Sequence, residues 1–162
     1  YRKWENMLER VCTERSPTYK DVTVCEEWEC FQVFAEWVEQ NYNPETMQGW
    51  HLDKDVLFKG NKIYSPETCC FVPHEINTLL NSCKARRKAG LIGVRKQVTG
   101  YSSLFTIKGK QTSEFFNTVE EAFQSYKILK EAYIKEVADK WKDQIDPRVY
   151  EAMHNYQVEI TD

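Results

Sequence analysis

The sequence is poor in the features that mark secreted, membrane-spanning or disordered chains. Only five of its 162 residues are proline and six are glycine, while 41% are hydrophobic. This composition excludes collagen-like and Pro/Gly-rich disordered chains and is sufficient for a hydrophobic core. No apolar run approaches the roughly 18 residues of a membrane-spanning helix. The given sequence shows no signal-peptide pattern, so we expect a cytoplasmic protein without membrane contacts and with reduced thiols.

Cysteine pairs with a metal-binding spacing are also absent. The chain has six cysteines, and no two of them form a Cys-x-x-Cys motif. One interpretation is a structural zinc site made from Cys12, Cys25, Cys30 and Cys69. Buried or half-buried free thiols are the favoured interpretation, because closely spaced pairs are the usual signature of a zinc site.

Acidic residues are missing from one long stretch of the chain. No Asp or Glu occurs from Ile76 to Ser113. The same stretch carries eight positive charges, namely Lys84, Arg86, Arg87, Lys88, Arg95, Lys96, Lys108 and Lys110. The rest of the chain has 14 basic and 25 acidic residues. Basic and acidic residues are therefore strongly segregated along the chain, although its net charge is only −3. This segregation favours a polyanion such as duplex DNA as the partner, with a solvated basic segment as the alternative.

The hydrophobic pattern predicts an α+β protein whose first half holds two helices and a hairpin. Apolar residues at three-to-four spacing predict helices over 2–11 and 26–41. A strand ending near Asp53, a Gly60-Asn61 turn and a strand through Ile63 and Tyr64 predict a β-hairpin. Pro73 then begins a helix, because proline is favoured in a first helical turn.

The second half is predicted to be a three-stranded antiparallel sheet packed on a long helix. The strands are predicted at 92–98, 101–107 and 111–116, and the helix at 119–144. Thr118 and Glu121 form the sequence pattern of a capping box at the start of this helix. The predicted domains are a nuclease-like domain, a basic linker, a sheet-and-helix domain and a C-terminal tail, at 1–82, 83–90, 91–145 and 146–162.

Asp53 and Asn77 are the candidate metal ligands. In the predicted hairpin-plus-helix they face each other and offer oxygen atoms to one hard divalent ion. The stretch from 52 to 77 resembles the HNH (ββα-metal) nucleases, especially the small phage-borne proteins related to homing endonucleases. Thr68 and Asn77 lie nine residues apart, the spacing in that family between its structural Asn and its helical metal ligand.

The HNH resemblance implies an activity and its cofactor. It implies a phage protein inside a bacterial host that uses one Mg²⁺ or Mn²⁺ ion, held by Asp53 and Asn77, to nick or cleave duplex DNA. Lys54 and Thr68 stand where the family has its base His and its structural Asn. We therefore take Lys54, Thr68 and His51 as the catalytic candidates. His51 precedes Asp53 by two residues, so both face one side of a strand, and His74 is a second nearby histidine.

The predicted sheet and helix resemble the APETALA-type DNA-binding domain. Gly93-Val94, Phe116, Thr118, the run from Glu120 to Ala122, and Tyr126 carry this resemblance. That family lays its sheet into the DNA major groove. The implied DNA-binding residues are Arg86, Arg87, Lys88, Arg95, Lys96, Tyr101, Lys108 and Lys110. The alternative function is a catalytically degenerate HNH-derived module that binds DNA or a host protein.

Overall fold

The computed structural model describes residues 1–12, 19–81, 91–107 and 109–160. They form an α+β protein, as predicted, which divides into two compact units. The first unit comprises Tyr1–Leu80 and Asp143–Ala152, and the second comprises Asn81–Lys142 and Met153–Asp162. Among the described helices, none combines the length and the apolar character needed to cross a membrane.

The helices of the first unit begin with α1, Arg2–Cys12, which confirms the predicted amphipathic helix. The single helix predicted over 26–41 is wrong in its first turn. A short 3-10 helix, Glu26–Glu29, is followed by an extended Cys30 (φ −85°, ψ 118°) and then by α2, Phe31–Asn41. Trp28 explains the interruption, because the 3-10 turn places its indole in the core, where it is fully buried.

Trp28 is the centre of the first unit's core. Its ring meets Phe34 edge-on at 5.0 Å between centroids and lies 4.8 Å from Trp37. Trp4 of α1 donates its indole N–H to the Trp28 carbonyl oxygen at 2.8 Å. Met7 of α1 is buried in the same cluster. Together these contacts fix α1 and α2 around the strands that carry the candidate site.

The strands of the first unit do not form the predicted hairpin. The four short strands are β1 (Thr23–Val24), β2 (His51–Asp53), β3 (Ile63–Tyr64) and β4 (Cys70–Val72). β3 pairs with β1 in parallel, and β2 pairs with β4 antiparallel. Burial explains this pairing. β4 is buried along its whole length and pairs with β2, whereas Tyr64 of β3 is buried in the core around Trp28.

Helix α3, His74–Leu80, begins directly after Pro73 and packs against β2. Along the chain, the paired strands β2 and β4 are therefore followed by a helix, and β3 lies in the connection between β2 and β4. The last described element assigned mainly to this unit is α5, Pro147–His154.

The second unit contains the predicted three-stranded sheet and long helix. Its strands are β5 (Val94–Lys96), β6 (Tyr101–Ile107) and β7 (Lys110–Phe116), antiparallel in the order β5-β6-β7. Helix α4 is Val119–Trp141. The capping box is confirmed, because Thr118 Oγ1 accepts from the Glu121 N–H and Glu121 accepts from the Thr118 N–H.

One face of this sheet packs on α4 and the other is open. Phe105 of β6 contacts the rings of Tyr126 and Tyr133 on α4, with centroids 5.8 and 5.9 Å apart. Because side chains alternate along a strand, residues 101, 103, 105 and 107 face α4, and residues 102, 104 and 106 belong to the open face.

Candidate functional site

Two rows of side chains meet where α3 packs on β2. His51 and Asp53 occupy alternate positions of β2 and so lie on one side of it. His74 and Asn77 are three residues apart on α3, so they share one side of the helix. His51 Nε2 lies 3.1 Å from His74 Nδ1, which joins the two sides. By this periodicity, Asp53 is on the side of β2 that carries His51, and Asn77 is on the side of α3 that carries His74.

The histidine pair is extended by a hydroxyl group. The other ring nitrogen of His74, Nε2, lies 3.3 Å from Thr78 Oγ1, one helical turn further along α3. The rings of His51 and His74 are tilted by 38°, with centroids 5.1 Å apart. Both nitrogens of His74 thus have a defined neighbour, while its ring remains exposed to solvent.

Asp53 ends β2 as an oriented and largely desolvated carboxylate. Its Oδ1 accepts hydrogen bonds from the N–H groups of Asp55 and Val56, at 2.7 and 2.8 Å. Burial raises the pKa of Asp53 above its usual value, although these two backbone hydrogen bonds act in the opposite direction. The fold thus fixes Oδ1 while imposing a free-energy penalty on the negative charge of Asp53.

Lys54 is a structural residue of the loop after β2. Its side chain is buried, and Nζ donates to both carboxylate oxygens of Asp55 at 2.7 Å and to the Asn61 carbonyl oxygen at 2.8 Å. These three acceptors satisfy the three protons of a lysine ammonium group. The predicted catalytic position is thus occupied by a cation that ties the loop together.

Thr68 likewise makes contacts within the chain. Its hydroxyl donates to the Ile63 carbonyl oxygen at 2.8 Å and lies 3.1 Å from Ser65 Oγ. Asn61 performs a related task, because its amide group donates to the carbonyl oxygens of Lys54 and Ile63. Thr68 and Asn61 therefore hold the long connection between β2 and β4 in place.

Two basic residues of α1 add to the electrostatics of His51. Burial lowers the pKa of His51, and the charges of His74, Lys3 and Arg10 act in the same direction, while Asp53 opposes them. The lowered pKa favours the neutral form of the His51 imidazole. Because α1 is about 40 residues away in the chain, no local pattern could reveal these neighbours.

The cysteines of the alternative zinc interpretation, Cys12, Cys25, Cys30 and Cys69, are free thiols in the structure. Within residues 1–12, 19–81, 91–107 and 109–160, no three His, Cys, Asp or Glu side chains cluster closely enough to hold a metal ion. Cys69 is buried in the Trp28 core, and burial raises its thiol pKa to about 12. Cys12 and Cys30 are exposed free thiols.

The strand register separates the basic residues of the sheet. Arg95 pairs with Ser102, which places it on the open face. Lys96 pairs with Tyr101, and Lys110 pairs with Ile107, which places these residues on the face that packs on α4. Both lysines are exposed at strand ends. Tyr101 is half-buried on that same face, so of these predicted DNA-binding residues Arg95 alone belongs to the open face.

Apart from Arg95, the side chains that the described register places on the open face are neutral. Gln97 donates to Ser102 Oγ at 3.1 Å. Phe115, opposite Ser102 on β7, is 53% exposed, and its ring lies over Gly100, where an added Cβ would be 2.6 Å from it. The strand register places three further polar side chains on the open face, namely Thr106, Gln111 and Ser113. The predicted DNA-binding residues Arg86, Arg87, Lys88 and Lys108 lie outside the described residues.

No protein-family model, no curated protein and no solved structure matches this chain. Its function must therefore be argued from its own residues.

Proposed function

We propose that the protein is a metal-dependent endonuclease of the phage HNH homing type, which binds duplex DNA and nicks or cleaves it. One observation carries the proposal. The antiparallel pair β2–β4 leads into α3, and the side of β2 with His51 and Asp53 faces the side of α3 with His74 and Asn77. The two imidazoles are in contact, and the strand and helix periodicities put Asp53 and Asn77 on the sides of β2 and α3 that carry them.

The donor atoms of Asp53 and Asn77 fit the implied divalent ion. They supply one carboxylate and one amide, which are oxygen ligands of the kind that Mg²⁺ and Mn²⁺ accept, and they leave room for water and a phosphate group. The half-buried carboxylate of Asp53, whose pKa is raised by desolvation, supports this assignment, since a nearby cation would favour its charged form. When bound, such an ion stabilises the negative charge that develops on the phosphate during cleavage.

We assign the proton-accepting role to the histidine pair rather than to Lys54. The lowered pKa of His51 favours the neutral imidazole, whose nitrogen lone pair can accept a proton from a water molecule. His74 lies 3.1 Å away and holds the His51 ring in position. Lys54 and Thr68 support the same site indirectly, because they fix the loop that follows Asp53.

The second unit supplies a surface for duplex DNA in this proposal. Arg95 on the open face offers a planar cation for a phosphate or a guanine edge, and Gln97 and Gln111 offer amides for base edges. Phosphate contacts from the basic stretch would supply most of the affinity.

The second candidate function is a DNA-binding module that has lost its chemistry. A specific observation favours it, namely that Lys54 and Thr68 replace the His and Asn of the HNH pattern and that both make structural contacts. In that case the protein would bind duplex DNA with a steep salt dependence and without cleavage.

A plasmid-nicking assay separates the two candidates. Supercoiled DNA would be incubated with Mg²⁺ or Mn²⁺ and with the wild type, Asp53→Ala, His51→Ala or His154→Ala. His154 is the third histidine of the chain, pairs with Asp139 at 2.9 Å in the second unit, and is the matched control. The nuclease proposal expects nicking by the wild type and His154→Ala, and at least a hundredfold less from the other two variants. If all four proteins bind DNA but cut it equally and negligibly, the nuclease proposal is rejected and the second candidate, a DNA-binding module without cleavage activity, is supported.

A further inference from the structure

We infer that His51 and His74 form a two-nitrogen chelating site for a borderline first-row divalent ion, represented by Zn²⁺. This site uses nitrogen ligands and is distinct from the oxygen ligands of Asp53 and Asn77. The inference does not depend on nuclease activity, because it concerns metal binding by two imidazoles that the fold has already brought together.

The separation of the two nitrogens fits a shared metal ion. His51 Nε2 and His74 Nδ1 are 3.1 Å apart. With zinc–nitrogen distances of 2.0–2.1 Å, this separation corresponds to a nitrogen–metal–nitrogen angle of about 95–100°. That angle lies between the octahedral and tetrahedral values, so both imidazoles can bind one ion with small ring movements.

Thr78 provides the outer partner that a metal-binding imidazole usually has. Its hydroxyl lies 3.3 Å from His74 Nε2 and can accept the proton of that nitrogen. A proton on Nε2 leaves the lone pair of His74 on Nδ1, the nitrogen that faces His51. Histidine ligands are commonly oriented in this way by a hydrogen bond from the second ring nitrogen.

The surroundings leave the remaining coordination positions open. The ring of His74 is exposed and that of His51 is only half-buried, so water can complete the coordination. Lys3 and Arg10 place positive charge near His51 and weaken the binding of a cation, whereas Asp53 strengthens it. Imidazole nitrogen prefers Zn²⁺, Ni²⁺ and Cu²⁺ over Mg²⁺, so the preference for zinc over magnesium follows from ligand chemistry.

Nitrogen-15 spectroscopy of the imidazoles tests the inference directly. The uniformly ¹⁵N-labelled chain of 162 residues would be titrated with Zn²⁺, and its three histidine side chains would be followed in long-range ¹H–¹⁵N spectra. We expect His51 Nε2 and His74 Nδ1 to shift together at one equivalent of Zn²⁺, while His154 stays unchanged. This readout separates imidazole ligation from zinc uptake by exposed thiols such as Cys12 and Cys30.

Variants provide the second arm of the test. His51→Ala and His74→Ala should each weaken zinc binding at least tenfold in calorimetry, and His154→Ala should leave it unchanged. Thr78→Val keeps the shape of the side chain and should weaken binding severalfold through the loss of the outer hydrogen bond. The inference is overturned if the His51 and His74 signals ignore Zn²⁺ while the fold is intact, which would leave a simple hydrogen bond between the two rings.

Discussion

Gly93 lies directly against the ring of Tyr126, with no room for a side chain between them. A Cβ added to Gly93 would be 2.1 Å from two ring carbons of Tyr126, and the backbone of Gly93 has a φ of +66°. Both the conformation and the contact therefore require glycine. This contact joins the turn before β5 to α4 and so helps to seat the sheet on its helix.

Replacing Gly93 should destabilise the second unit strongly. Gly93→Ala adds backbone strain and a clash with a buried ring, and we expect a loss of about 2 kcal/mol or more in the free energy of unfolding. Gly109→Ala is the matched control, because Gly109 also has a positive φ (+78°) but no atom within 4 Å of its added Cβ. Urea unfolding followed by circular dichroism would measure both variants. Equal losses in the two would contradict the role of the Tyr126 contact.

The Thr118–Glu121 capping box should contribute measurably to stability. Thr118→Ala removes the side-chain acceptor of the Glu121 N–H, and we expect a loss of about 1 kcal/mol in the free energy of unfolding. Thr118→Ser keeps a hydroxyl acceptor and should lose a few tenths at most. Thermal unfolding of the two variants beside the wild type would check this, and an unaltered midpoint for Thr118→Ala would contradict it.

Asp146 should make stability depend on pH in the acid range. Arg148 bonds both oxygens of Asp146 with its guanidinium and donates its backbone N–H to Oδ1 at 2.8 Å. Burial alone would raise the pKa of Asp146, but these hydrogen bonds and the charge of Arg148 outweigh burial and hold it below its usual value. A depressed pKa stabilises the folded state above the unfolded-state value of about 3.9, and this stabilisation is lost as the pH falls through the folded-state pKa.

Comparison with Asp146→Asn isolates this effect. The variant keeps an oxygen acceptor for the Arg148 N–H but lacks the charge. The wild type should have the higher urea midpoint at pH 7, and the difference should close as the pH falls below about 4. A difference that stays constant down to the acid limit would show that the charge of Asp146 contributes nothing.

Arg95 and Lys96 provide a direct test of which sheet face meets DNA. They are adjacent and carry the same charge, but the register places Arg95 on the open face and Lys96 on the face that packs on α4. If Arg95 contacts a base, Arg95→Gln should weaken duplex binding by about 1–3 kcal/mol. If Arg95 contacts a phosphate, the substitution should instead reduce the slope of log affinity against log salt concentration by about one. Lys96→Gln should change binding less. Fluorescence anisotropy with a labelled duplex at several salt concentrations would measure both, and a larger effect of Lys96→Gln would reject the open face.

Some of this structure followed from short-range patterns. The capping box and the long helix were predicted because a capping residue, its partner three residues later and an apolar stripe all lie within one segment. The three strands of the second unit were predicted to within a few residues for the same reason, since alternation and turn residues are local signals. The predicted boundaries of β5 were too wide, because only three of its residues find partners on β6.

The site depended on contacts that no local pattern contains. Residue types and spacing predict Asp53, Asn77 and His51 as site residues, but the predicted pairing of β2 with the strand through Ile63 and Tyr64 is wrong. The hairpin prediction counted the turn residues Gly60 and Asn61, whereas the pairing was set by the burial of β4 and by the entry of Tyr64 into the Trp28 core. His74 was recognised only as a nearby histidine, and its contact with His51 depends on how α3 packs against β2.

The amino-acid sequence by itself determined the α+β class, the capping box at the start of α4 and the segregation of basic from acidic residues, because each depends on neighbours along the chain. Tertiary structure decided that two imidazoles meet, that Lys54 is buried with three acceptors, and that adjacent cations at 95 and 96 belong to opposite faces. The physical reason is that strand register and helix packing are set by the burial of distant apolar residues, and a change of one residue in register would exchange the two faces.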